Sequence, residues 1–179
     1  MSPSMDRAAL AAQSPKSDAY PRAQAVFGIC ALVILLLWFN IYPQRVGFWI
    51  SATDAASYVP VLSPAFFVEY LPWLNLCWVL ALGLNIAHLS LGRWTLVTRL
   101  LDLGLAFLAL NVVVAMIFGP PIFAVDPQAA SADSAWIPTA EAVVSALSLT
   151  APFVLGVIAL ALVVDMIKKV VDLVRSISP

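Results

Sequence analysis

The side chains able to do chemistry are few, and they interrupt long apolar runs. Asp102 stands six residues beyond Leu96, with Arg99 three residues before it. At a ~1.5 Å rise per residue that is roughly 9 Å along a helix. The i,i+3 spacing puts both on one helix face, which predicts an ion pair that snorkels toward a membrane interface. Asp165 has Lys168 and Lys169 at +3 and +4, and the same reading applies there. His88 is the only histidine and has Asn85 three residues earlier. A hydrogen-bonded interface histidine is the ordinary reading, and a haem or pigment ligand is the alternative. One histidine supplies neither a zinc site nor a bis-histidine haem.

Asn75, Asn85 and Asn111 are amides inside apolar runs. Hydrogen bonding between helices is their usual role, with a substrate pathway as the alternative. Gly83, Gly104 and Gly156 are expected to let helices approach closely. Cys30 and Cys77 fall within apolar runs and are expected to act as small hydrophobes. The chain carries no Gly-x-Ser-x-Gly, His-Glu-x-x-His or P-loop pattern. No enzyme activity, metal or cofactor is therefore expected.

These residues need elements to hold them, and composition decides what those are. Of 179 residues, 63% are hydrophobic and 11% charged. A soluble domain is about 45–50% apolar and ~25% charged, so one soluble core cannot hide this surface. A net charge of −1 with nine basic residues builds no basic patch for nucleic acid. The expected class is an all-α polytopic membrane protein with the lipid bilayer as its surroundings.

Four apolar segments approach the ~20 residues that a spanning helix needs. The first span covers 23–42, after a polar tail over 1–22 that is expected to be disordered. It is too long for a signal-peptide core and ends in bulky residues. The second span covers 72–91, the third 96–118 and the fourth 142–167. Residues 168–179 continue in helical register as an amphipathic end. Pro152 is expected to kink or locally unwind the fourth span.

Between the first two spans, prolines and aromatics predict an ordered loop along the membrane surface. Ser63-Pro64 should start a short interfacial helix running to Tyr70. Gly92 suits a helix end and Thr95 a helix start. The second and third spans must therefore form a tight antiparallel hairpin. A turn centred on Arg93 would set Asn85 opposite Asp102, predicting an Asn85–Asp102–Arg99 cluster that locks the hairpin.

Eight of the nine basic residues fall on one side of this arrangement, and Arg45 alone falls on the other. The positive-inside rule then puts both termini in the cytoplasm.

Residues 42–122 carry a resemblance. Val61-Leu62-Ser63-Pro64, Leu71-Pro72-Trp73-Leu74-Asn75-Leu76, Gly92-Arg93-Trp94-Thr95 with Thr98-Arg99, and Gly119-Pro120-Pro121-Ile122 carry it. This stretch resembles the membrane half of HAAS-type bacterial integral membrane proteins, which are often encoded beside PadR-like regulators. The resemblance implies a multi-pass protein of the bacterial inner membrane. It transfers no catalytic or ligand residue. The 22 residues before the first span are expected to be too few for the soluble HAAS region.

The leading functional expectation is a non-enzymatic subunit, signalling or accessory, that works through helix contacts with other membrane subunits or with itself. A small transporter or channel subunit built around Asn75, Asn111 and Asp102 is the alternative. A pigment- or haem-binding subunit using His88 is the second. The topology is checked by single cysteines at positions 17, 131 and 178. Only Ser131→Cys should react with an impermeant thiol reagent from outside, and labelling of Ser178→Cys would overturn the both-termini-inside topology.

Overall fold

The computed structural model describes residues 21–42, 46–52, 55–124 and 137–177. The expected disordered tail, apart from its last residues, and most of the second loop lie outside the described residues. The membrane part is all-α. Helix α1 is Arg22–Ile41, α2 is Leu71–Leu91, α3 is Leu96–Phe118 and α4 is Ile137–Ile177. Each belongs to a segment long and apolar enough to cross a membrane, of 20, 26, 23 and 36 residues respectively. At ~1.5 Å per residue even the shortest matches the ~30 Å hydrocarbon core.

The helices stand in an open row. Helix α1 packs on α2, α2 on α3 and α3 on α4, and no other pair of these helices makes more than marginal contact. Few residues are therefore hidden within the chain. They include Ala25 in α1, Cys77 and His88 in α2, and Thr98, Ala106 and Val112 in α3. Such exposure is what lipid permits, because hydrocarbon solvates leucine as well as another helix does.

The two ends of the row differ. At the basic end, α2 stops on Gly92, whose φ of 65° is the left-handed conformation that favours glycine. Its N–H donates to the His88 carbonyl at 2.9 Å. Thr95 then starts α3 through a reciprocal capping box with Thr98. Both roles match the sequence expectation.

The opposite, loop end is more elaborate. Strands β1 (Gly47–Ala52) and β2 (Ala55–Pro60) form an antiparallel hairpin with Ala52 opposite Ala55. This hairpin was not among the sequence expectations. Ser63 then caps a helical turn, its Oγ accepting from the Phe66 N–H at 3.1 Å. The short helix expected to end at Tyr70 is not a separate element. A π-helical segment, Phe66–Tyr70, continues directly into α2.

The two loops are tied together here. Leu62 forms an antiparallel bridge with Phe123. The Ser63 N–H donates to the Ile122 carbonyl at 2.9 Å, and the Ala124 N–H to the Val61 carbonyl at 3.1 Å. Ser63 Oγ donates to the Pro121 carbonyl at 2.5 Å, and the Tyr70 hydroxyl to the Pro120 carbonyl at 2.8 Å. Beneath them Phe66, Tyr70 and Leu71 form a buried cluster against Phe39, Trp78 and Met116.

Helix α4 runs unbroken through Pro152, so the expected local unwinding is absent. It also runs on past residue 167 without interruption, so the amphipathic end is the last turns of one helix. Proline removes the donor for the Ser148 carbonyl, and neighbouring Thr150 directs its hydroxyl at the Ala146 carbonyl, 3.0 Å away.

Glycines act where the sequence did not place them. Gly83, Gly104 and Gly156 have nothing within 4 Å of a Cβ position, so they bring no helices of this chain together. Gly28 and Gly119 do. A Cβ on Gly28 would lie 2.8 Å from Asn85 Oδ1, and one on Gly119 would lie 2.5 Å from the Ala115 carbonyl and against the Tyr70 hydroxyl. Gly119→Ala is therefore expected to cost about 1–3 kcal/mol, the usual penalty for overfilling. Gly83→Ala should cost nothing, since it gains helix propensity in open space. Reversible unfolding in mixed micelles checks both, and equal stabilities would show that close approach does not hold the loop end.

Candidate functional site

The polar residues singled out by sequence do not gather at one point. Helix α3 divides them, because its two flanks face different partners. The flank bearing Arg99 and Asp102 meets α4. Asp102 Oδ2 lies 2.9 Å from Lys169 Nζ, and the same ammonium lies 2.8 Å from Asp165 Oδ2. Arg99 Nη1 donates to the Asp172 main-chain carbonyl at 3.3 Å. One lysine of α4 thus bridges carboxylates on two helices.

This corrects the expected Asn85–Asp102–Arg99 cluster. Asn85 faces α1 instead, against Gly28, and its Nδ2 donates to the Ala81 carbonyl at 2.9 Å. The hairpin depth expected for the second and third spans is sound, since Tyr70 near the start of α2 reaches Pro120 just beyond α3. What differs is rotation. The short Gly92–Thr95 connection fixes how deep the two helices sit, and it says nothing about which flanks they present to each other. Asp165 pairs with Lys169 as its i,i+4 spacing predicted.

The register of α3 and α4 explains how Lys169 reaches the cluster. Arg99 meets Asp172, Asp102 meets Lys169, and Gly119 and Pro152 line the same cavity. For every residue gained along α3, one is lost along α4. Residues 168–175 therefore lie beside the first turns of α3. Helix α4 instead overhangs at the loop end, where residues 137–151 extend beyond Phe118 by about 22 Å at ~1.5 Å per residue.

Exposure grades the three charges. The side chains of Asp102, Lys169 and Asp165 are 18%, 25% and 49% exposed. Asp102 is the charge most dependent on its partner, because water reaches it least. Chemically the group is a clamp: an ammonium with three donors satisfies two acceptor-only carboxylates and joins α3 to α4.

The other candidates are dispersed. Asn75 pairs with Asn40 of α1, each Nδ2 donating to the other's Oδ1 at 2.8 Å. Asn40 was missed by the sequence reading. It closes an apolar run next to Tyr42, where an amide reads as an interface residue. His88 is buried, with its ring edge-on to Trp94 at 4.2 Å between centroids. Asn111 is exposed and donates to the Phe107 carbonyl of its own helix at 2.8 Å. Cys30 and Cys77 are free thiols. Among the described residues no three His, Cys, Asp or Glu side chains are grouped to hold a metal.

A cavity of about 100 Å³ opens at the loop end between α3 and α4. Gly119, Pro120 and Pro121 form one wall, and Ser148, Ala151 and Pro152 form the other.

Removing the shared ammonium should cost more than removing either acceptor. Lys169→Met is expected to lose about 2–3 kcal/mol, somewhat under the ~3–5 of a fully buried broken pair. Asp165→Asn, half in water, should lose about 0.5 kcal/mol, with Asp102→Asn between them. Denaturant unfolding in bicelles gives the ranking, and a Lys169→Met protein as stable as the parent would show that the clamp holds nothing.

Compared with known family models, curated proteins and solved structures, the chain matches none.

Proposed function

We propose that this chain is a non-enzymatic integral membrane protein of the bacterial cell membrane. It acts through helix contacts with a partner, as a signalling or accessory subunit of a membrane complex, with both termini in the cytoplasm. The observation that carries the reading is the open row. Helices that contact only their sequence neighbours leave broad faces uncovered, and such faces suit further helices. The polar side chains do not converge on a pathway. Asn40 and Asn75 tie α1 to α2, and Asp102 and Lys169 tie α3 to α4. The resemblance of residues 42–122 to the membrane half of HAAS-type proteins supports the same reading. The one-sided basic residues support the orientation.

The test is purification of the tagged full chain from its own membrane in a native nanodisc, with mass spectrometry of what accompanies it. A companion at fixed stoichiometry, another subunit or a second copy, is the expected result. A lone chain that drives solute or ion flux in liposomes would overturn the reading in favour of transport.

A further inference from the structure

The uncovered face of α3 is not uniformly apolar. Leu100, Gly104, Phe107, Asn111, Val114 and Phe118 are all exposed. Their separations alternate between four and three residues. That is the 3.5-residue period of a left-handed helix pair, in which a single asparagine sets register and copy number. Helix α2 has an exposed face of similar spacing through Trp73, Leu76, Leu80 and Gly83, but it carries no amide. The amide is what distinguishes α3.

Asn111 lies nine residues past the Asp102 level and seven before Phe118, or about 13 Å and about 10 Å along the helix. It is therefore well inside the apolar zone. Among the described residues its Nδ2 gives one hydrogen bond, to Phe107 of its own helix. An amide has two N–H donors and an acceptor oxygen, so most of its capacity faces outward where lipid offers nothing. A partner must present a matching donor and acceptor at that same depth.

A second copy does so necessarily. Two copies inserted in the same orientation and related by a two-fold axis along the membrane normal put their Asn111 side chains at equal depth. An amide is also its own complement. The chain uses that geometry already, in the reciprocal Asn40–Asn75 pair at 2.8 Å. Gly104 lies two turns away on the same face, with nothing within 4 Å of its Cβ position, and lets two backbones close.

We propose that this α3 face docks against a second copy of the chain, with the two Asn111 amides hydrogen-bonded to each other across the two-fold axis. The proposal rests on the partner-contact reading above and names the partner.

The test uses the full chain, dye-labelled at its C-terminus, in liposomes across a series of protein-to-lipid ratios. Energy transfer reports the dimer fraction, and circular dichroism confirms unchanged helix content. Asn111→Leu should weaken dimerisation about three- to thirtyfold, the span expected for interhelical hydrogen bonds in membranes. Asn111→Gln should recover part of that loss. Gly104→Ile should weaken dimerisation at least as much, whereas Gly83→Ile, equally open but on α2, should leave it unchanged. A chain that stays monomeric at every density overturns the proposal. So does a dimer indifferent to Asn111→Leu, which decides the matter even where Gly104→Ile fails to fold. In either case the partner reading stands if a different subunit accompanies the chain in native nanodiscs. It falls only if nothing does.

Discussion

Helices in a bilayer gain little from hiding leucine against leucine, because the surrounding chains are as apolar as the partner. Relative position has to come from close approach and from polar contacts made where water is scarce. The structure depends on this constraint at both ends. At the basic end the ammonium of Lys169 joins carboxylates on α3 and α4. At the loop end neutral groups do the equivalent work. The Tyr70 and Ser63 hydroxyls take up the Pro120 and Pro121 carbonyls, which would otherwise lie bare close to hydrocarbon. Non-helical backbone survives near the membrane only when its polar groups find protein partners. The pairing of 61–63 with 122–124 meets that requirement.

Helix α3 has 23 residues, about 35 Å at ~1.5 Å per residue, enough for a ~30 Å core. Helix α4 is longer. Its apolar stretch over 142–166 exceeds the core thickness, and the Lys169 clamp prevents it from sliding toward the basic end. That register leaves the overhang of α4 at the loop end, where Ala140 and Val144 are buried. Pro152 sits where α4 passes the end of α3.

Much of this was legible in the sequence, and the parts that were not share a cause. Span number, the Gly92 and Thr95 boundary roles and the Ser63 cap depend on local composition and spacing, which sequence displays directly. The level of the α2–α3 hairpin was legible too, because a short turn leaves no freedom of depth. The rotation of α3 was not, because it is fixed by a helix that returns after a long loop. The partner of Asp102 therefore lies 67 residues away at Lys169. Gly28 and Gly119 were missed for a related reason. A glycine's value lies in what stands opposite it, here Asn85 and Tyr70, and no spacing within one helix reveals that. The β1–β2 hairpin did leave a signal. Runs such as Phe48-Trp49-Ile50 and Ser57-Tyr58-Val59 are rich in strand formers and are separated by six small or polar residues. Their aromatics fit membrane anchors equally well, so composition alone does not separate the two.

The placement of the locks says where the molecule is unconstrained. Charge-assisted contacts suit the basic end, where headgroups and water stabilise whatever charge is left over. Neutral contacts suit the loop end, where the lock includes backbone carbonyls that ionic partners would serve no better. Between these levels α3 meets its neighbours through small apolar residues such as Ala106 and Val112, and such contacts resist rotation only weakly. Asn111 lies within this middle zone, and among the described residues its hydrogen bond is to the Phe107 carbonyl of its own helix. In an open row an amide at that level adds nothing to the packing of its own chain. Its remaining donor and acceptor capacity would be met only by a further helix docked on that face.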